Sequence, residues 1–174
     1  MNAQRTSDAD ETPDPCCAPE RAPEGMAHAE RICRERDAQF TPVRRRVLEL
    51  MLESDRPIGA YALLDRLRAD GLKAQPPTVY RALEFLIEQG LAHKIQMLNA
   101  YAACRRPGSR HAPHFMICTE CHRVHEAVYP GIVDALDQAA KDVGFVTRKT
   151  ALELAGICTS CSAKDTERGA ESDK

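Results

Sequence analysis

Pro76-Pro77-Thr78-Val79-Tyr80-Arg81-Ala82-Leu83-Glu84-Phe85-Leu86-Ile87-Glu88-Gln89-Gly90 runs directly into Leu91-Ala92-His93-Lys94-Ile95-Gln96. The hydrophobic period changes inside this stretch. At 100° per residue, Val79, Leu83, Leu86 and Ile87 share one face, and Tyr80, Arg81, Glu84 and Glu88 share the opposite one. After Gly90 the period falls to two: Leu91, His93 and Ile95 alternate with Ala92, Lys94 and Gln96. A helix that starts at a proline pair and stops at a glycine is thus followed by a strand. A turn near Asn99-Ala100 and the stretch Tyr101–Cys104 complete a hairpin.

Upstream, Thr41-Pro42 forms a helix start, with an N-cap hydroxyl and a proline at the first helical position. Val43, Val47, Leu50 and Met51 follow at helical spacing. A further helix carries Ala60, Leu63, Leu64 and Leu67 and ends at Gly71. A weaker one precedes both, around Ala29–Asp37. Helices followed by a two-stranded wing make a winged helix-turn-helix over residues 26–104. In that motif the helix after Pro77 is the recognition helix. Its Thr78, Tyr80 and Arg81 are placed to reach a major groove. Arg44, Arg45, Arg46, Tyr61 and Lys94 are placed for phosphate contacts, although each also reads as an ordinary solvated side chain.

Downstream, Arg105-Arg106-Pro107-Gly108-Ser109 reads as a hinge, taken as 105–110. A second unit spans 111–162. Strands are expected at Phe115–Ile117 and Arg123–Val128, a helix over Gly131–Val143, and a long strand over Phe145–Ile157. The whole is α+β: a winged helix followed by a small α/β domain. That domain is too short for a large core and needs a metal staple, a partner subunit, or both. Residues 1–25 and 163–174 are polar, aperiodic and poor in large apolar groups, which predicts disordered tails.

Composition excludes several classes. In 174 residues, 43 % hydrophobic and 29 % charged is a globular balance, and with no Trp and 5 % aromatics the core is aliphatic. No run approaches the ~18 apolar residues of a membrane helix. The N-terminus lacks a basic-then-apolar leader, which points to the cytoplasm. There, eight cysteines suit metal better than disulfides. The formal charge of −2 hides a split. Residues 1–30 carry two basic and seven acidic side chains, whereas residues 31–111 carry fifteen basic and nine acidic. A basic body can face a polyanion even when the total charge is slightly negative.

Two constellations carry metal chemistry. Cys118-x-x-Cys121 and Cys158-x-x-Cys161 each place two thiolates on a short turn, and together they supply a closed tetrahedral zinc site. The second constellation is mixed. His93 lies on the inward face of its strand, and Glu126 alternates with Val124 and Val128. Cys104 ends the hairpin, and His111 follows the hinge. Singly these read as a core histidine, a small buried thiol and a paired carboxylate. As a set they suit a divalent cation, because buried polar groups need partners. Cys16, Cys17 and Cys33 have no role. A zinc deaminase would need H-x-E upstream and Pro before Cys118, where Ile117 stands. A thioredoxin-like activity would need its CxxC at a helix start. A zinc-stapled protein-interaction module is the remaining rival from another class.

These residues resemble the ferric uptake regulator family, and within it the zinc uptake regulator branch, over residues 27–161. The resemblance rests on Leu72-Lys73-Ala74-Gln75-Pro76-Pro77-Thr78-Val79-Tyr80-Arg81-Ala82-Leu83, Phe40-Thr41-Pro42 with Arg44, and Ala60-Tyr61-Ala62-Leu63-Leu64. It continues through His93-Lys94, Tyr101, Cys104, the first CxxC, Glu126, Leu152-Glu153 and Gly156-Ile157-Cys158. It implies a homodimeric repressor that binds palindromic operators when zinc is plentiful and silences zinc-uptake genes. It implies two zinc ions per chain: a structural one on Cys118, Cys121, Cys158 and Cys161, and a sensing one on His93, Cys104, His111 and Glu126. It also places Tyr61 and Arg81 on DNA. The second unit becomes the dimerisation domain. Iron-sensing members carry a histidine-rich run before the first CxxC, and here it shrinks to His111-Ala112-Pro113-His114. That leaves His111 or His114 as the ligand, and the seven-residue distance of His111 to Cys118 fits the zinc branch, while His122 and His125 are left for an extra site or none. An iron- or peroxide-sensing regulator of the same family is therefore the nearest alternative.

Overall fold

The computed structural model describes residues 22–108, 113–148 and 150–163. Four helices open the chain: α1 (Ala22–Glu35), α2 (Pro42–Leu52), α3 (Ala60–Ala69) and α4 (Pro76–Glu88). A hairpin follows, β1 (Ala92–Ile95) and β2 (Ala100–Ala103), paired antiparallel with His93 opposite Ala102. The second unit holds β3 (His114–Cys118), β4 (Val124–Ala127), α5 (Pro130–Asp142) and β5 (Leu152–Gly156). Its sheet has the order β4-β3-β5, with β3 antiparallel to β4 and parallel to β5.

The core of the first unit is aliphatic, as the composition required. Val47, Leu63, Leu67, Val79, Leu83 and Leu86 are essentially inaccessible to solvent. On α4 the buried face is Val79, Ala82, Leu83, Phe85 and Leu86, while Ile87 at its rim is 37 % exposed. Gly90 stops α4 at φ +68, a left-handed conformation that a Cβ disfavours. The N–H of Leu91 donates to the carbonyl of Leu86 and that of Gly90 to Ile87, the two bonds of a Schellman cap. The same pair of bonds closes α3 at Gly71.

Several expectations are corrected. The first helix starts at Ala22, so residues 22–25 are helical rather than tail. Residues 1–21 and 164–174 lie outside the described residues. Thr41 has extended backbone at the start of α2, yet its hydroxyl makes no capping bond. The wing gains a third rung, because Ile58 and Tyr101 exchange both backbone bonds at 2.8 and 2.9 Å. The long strand expected over Phe145–Ile157 is realised only as Leu152–Gly156. Phe145 and Val146 are 65 % and 80 % exposed and pair with no strand among the described residues.

The two units meet along the wing. Ile95, Leu98 and Ala102 pack on Phe115, Ile117 and Val124 in a small cluster separate from the main core. At the same boundary Arg123, in the β3–β4 turn, lies 3.6 Å from Asp55, in the α2–α3 connection.

Candidate metal centres and nucleic-acid face

β3 places side chains on alternate faces. Phe115 faces the wing, with its ring centroid 5.4 Å from that of His93. Glu126 stands directly opposite Phe115 in register and shares its face. Cys104 leaves the end of β2 with its N–H bonded to the Leu91 carbonyl, which fixes the thiol beside the wing base. The donor atoms of His93, Cys104 and Glu126 therefore converge within 4.8 Å of one another. His93 Nε2 is 3.5 Å and Cys104 Sγ 3.9 Å from Glu126 Oε1, and Glu126 Oε2 accepts the Arg105 N–H at 3.0 Å. The Glu126 side chain is 5 % exposed and that of His93 17 %. Burial, and then the adjacent Glu126 carboxylate, push the Cys104 thiol up to about 12. A buried carboxylate beside a thiol that must ionise to ligate is a donor set that a divalent cation satisfies.

His111 falls outside the described residues. His114 lies on the other face of β3, away from the cluster. It is 2 % exposed, its Nδ1 accepts the Tyr129 N–H at 3.4 Å, and its ring stacks on Tyr129.

The four cysteines of the CxxC pairs also come together, with sulfurs within 4.8 Å of one another. Parallel pairing of β3 with β5 sets Cys118 opposite Gly156, so the turn after β3 and the chain after β5 meet at the same sheet end. Cys121 Sγ is 3.8 Å from Cys158 Sγ, and Cys118 Sγ accepts the Cys158 N–H at 3.4 Å. The N–H groups of Cys121 and Cys158 hold the Cys118 thiol down at about 6. Cys161 is pushed up to about 12, mainly by the neighbouring Cys158 thiol. Amide donors that favour one thiolate among four close sulfurs fit a tetrahedral metal of the zinc type. Among the described residues these two clusters are the groups able to hold an ion.

In the first unit, Tyr61 of α3 is 67 % and Tyr80 of α4 41 % exposed. Arg81 is exposed and has no ion pair among the described residues, and Thr78 is half-buried beside it. The arginine run of α2 is used differently from what the sequence suggested. The Arg44 guanidinium lies 3.6 Å over the Phe85 ring and donates to the Gln39 carbonyl. Arg45 pairs with Glu30 of α1. Arg46 reaches Asp70 at 2.7 Å, Glu53 at 3.1 Å and Glu49 at 3.2 Å, and these carboxylates raise its already high pKa. These partly exposed cations tie neighbouring elements together.

The second unit exposes several apolar side chains: Leu136 of α5, Met116 of β3, Leu154 of β5, and Val143, Phe145 and Val146. Met116 and Leu154 are register partners, so their side chains form one outward row.

A winged helix that meets a small sheet unit at a thiol, an imidazole and a carboxylate, with four converging cysteines at the sheet's end, defines a winged-helix protein with two candidate metal sites. The family model for the ferric uptake regulator family matches residues 35–155, and the chain belongs to that family. It is 42 % identical over 137 residues to the zinc uptake regulation protein of Escherichia coli K12, covering 78 % of this chain and 80 % of that protein. It is 32 % identical over 119 residues to the ferric uptake regulation protein of Bordetella parapertussis, covering 68 % and 85 %. Among solved structures it resembles a zinc uptake regulator complexed with zinc and DNA, with TM-score 0.80 and 40 % identity over 83 % of this chain and 97 % of that one. It also resembles holo XcZur, with TM-score 0.74 and 38 % identity over 84 % and 99 %.

Proposed function

We propose that this chain is a zinc-responsive transcriptional repressor of the cytoplasm. As a homodimer with two zinc ions per chain it binds palindromic operators in double-stranded DNA and represses zinc-uptake genes. It is a regulator and not an enzyme. The observation that carries this reading is the convergence of His93, Cys104 and Glu126 across the boundary between the wing and the second unit. A thiol in that set favours zinc over iron or manganese. His111, which stands in the sequence between Cys104 and β3, is assigned as the fourth ligand, because His114 is engaged on the far side of β3.

Bound at both clusters, zinc supplies cross-links with no redox chemistry of its own. His93 and Cys104 move with the wing, and Glu126 moves with the sheet. Their donor atoms meet in one relative orientation of the two units only. In a dimer built on the apolar α5–β5 face, that orientation sets the separation of the two α4 helices. Operator half-sites of this class stand ~34–36 Å apart, so orientation controls DNA affinity. Selection of the competent orientation by the metal is a population shift, and DNA must raise zinc affinity by the same factor. Thr78, Tyr80 and Arg81 read the groove, and Tyr61 meets the backbone. Arg44, assigned to DNA from sequence, contributes by bracing α4 through Phe85. Cys118, Cys121, Cys158 and Cys161 hold the second unit together through the structural ion.

Metal content and DNA binding test this together. Protein purified without added metal should contain zinc, and chelation should abolish retention on DNA at moderate salt. Iron as the bound metal, or retention that ignores chelation, would overturn the assignment.

A further inference from the structure

Apart from both metal clusters, one carboxylate ties the two units together through the main chain. Glu153 lies on β5 opposite Phe115, and so on the sheet face turned toward the wing. Its Oε1 accepts the N–H of Gln96 at 2.7 Å and its Oε2 that of Met97 at 2.8 Å. These are the first two amides of the turn that closes the β1–β2 hairpin, where Asn99 N–H donates back to the Gln96 carbonyl at 3.0 Å. Two consecutive amides on the two oxygens of one carboxylate make a forked, charge-assisted contact. The wing does not need it in order to fold, because water satisfies outward-facing turn amides equally well. The contact exists only when the hairpin tip lies against β5.

His93 and Cys104 lie near the base of the same hairpin, and Glu153 grips its tip. Beside them, Ile95, Leu98 and Ala102 pack on Phe115, Ile117 and Val124. The hairpin is thus held against the second unit at both ends, once through ligand residues and once through a carboxylate that ligates nothing. We infer that Glu153 is a positioning residue. Its carboxylate latches the wing tip in the DNA-competent orientation without metal and thereby sets how much zinc the switch requires. This rests on the reading above, in which orientation controls DNA binding. Two ties that favour one orientation add in free energy. Loosening one raises the ligand concentration needed to populate that orientation, and excess ligand restores it.

Glu153→Gln keeps the size and one acceptor but sets an amide N–H2 toward a backbone N–H. In the full-length dimer, zinc-dependent binding is measured on a duplex that the zinc-loaded wild type selects from random-sequence DNA. The zinc midpoint should rise about tenfold, the size expected for a partly exposed charged hydrogen-bond pair. Affinity at saturating zinc, zinc per chain and dimer mass should stay near wild type. Glu153→Asp should fall between the two. Without DNA, hydrogen exchange at the Gln96 and Met97 amides of the zinc-loaded protein should accelerate in Glu153→Gln while the α4 amides stay protected. An unchanged midpoint overturns the inference. So does affinity lost even at saturating zinc together with dimer loss, which would make Glu153 a folding residue. If the wild type shows no zinc-dependent binding, the repressor reading fails by itself. Amide exchange then decides the latch: lost protection supports it, and unchanged protection sinks it.

Discussion

Arg46 and Arg81 should separate stability from DNA binding, although both are arginines of the basic segment. Arg46 bonds three carboxylates, Asp70, Glu53 and Glu49, at 2.7–3.2 Å, and so joins α2 to the end of α3. Its side chain is 28 % exposed and its partners are 31 % to 50 % exposed, so solvent screens every pair. At ~0.3–1 kcal/mol for such a pair, Arg46→Ala should cost the winged helix about 1–2 kcal/mol. For a domain of this size that lowers the melting temperature by roughly 5–10 °C. Arg81 is exposed without an ion pair among the described residues, so Arg81→Ala should leave the melt unchanged. It should cost ~1–3 kcal/mol in DNA affinity, or roughly five- to 150-fold. Circular dichroism melts and fluorescence anisotropy on a labelled duplex, each with zinc present, make the comparison. If Arg46→Ala melts with the wild type and weakens DNA binding as much as Arg81→Ala does, the clamp is wrong and the arginine run faces DNA.

Three further outcomes follow from the sites. Cys118→Ser should lose the structural ion and, with it, the cooperative melt of the second unit and the dimer, read as zinc per chain and mass in solution. Because Cys104 is held up at about 12, its proton must leave on ligation. Zinc affinity at the sensing cluster should therefore fall about tenfold per pH unit on acidification from about pH 9 to about pH 7, and Cys104→Ser should flatten that slope. Leu136→Glu sets a charge on the apolar face of α5 and should raise the dimer dissociation constant at least about tenfold by sedimentation, with zinc content unchanged.

The winged helix was legible because its signals are local and strong. The change of period at Gly90, the proline starts of α2 and α4, and the glycine stops at Gly71 and Gly90 each act within a few residues. The four-cysteine cluster was legible for the same reason. Each CxxC is a local turn, and thiols in such pairs have few other uses. The mixed cluster was harder, since His93, Cys104 and Glu126 are ordinary residues until strand alternation places them inward. What stayed hidden depends on contacts between distant segments. The Ile58 rung is a single residue with no period to read. Arg44, Arg45 and Arg46 present a uniform basic run, but helix packing gives each a different partner: the Phe85 ring, Glu30, and the Asp70, Glu53 and Glu49 carboxylates. Phe145 and Val146 read as the start of a strand, yet they are exposed and pair with no strand among the described residues. Glu153 stood out only as part of the family motif Leu152-Glu153, and its contact stayed hidden because its partners are backbone amides of a turn 56 and 57 residues away.

The central claim is that metal at the interdomain cluster controls DNA affinity, and a metal titration of DNA binding tests it most directly. Full-length protein with the structural site loaded is titrated with zinc on a labelled duplex, with iron(II) and manganese(II) in parallel and Cys104→Ser as a second sample. Zinc should raise the affinity at lower free concentration than either other metal, and Cys104→Ser should stay folded, dimeric and unresponsive. Equal or better activation by iron, or a Cys104→Ser response matching the wild type, would contradict the account.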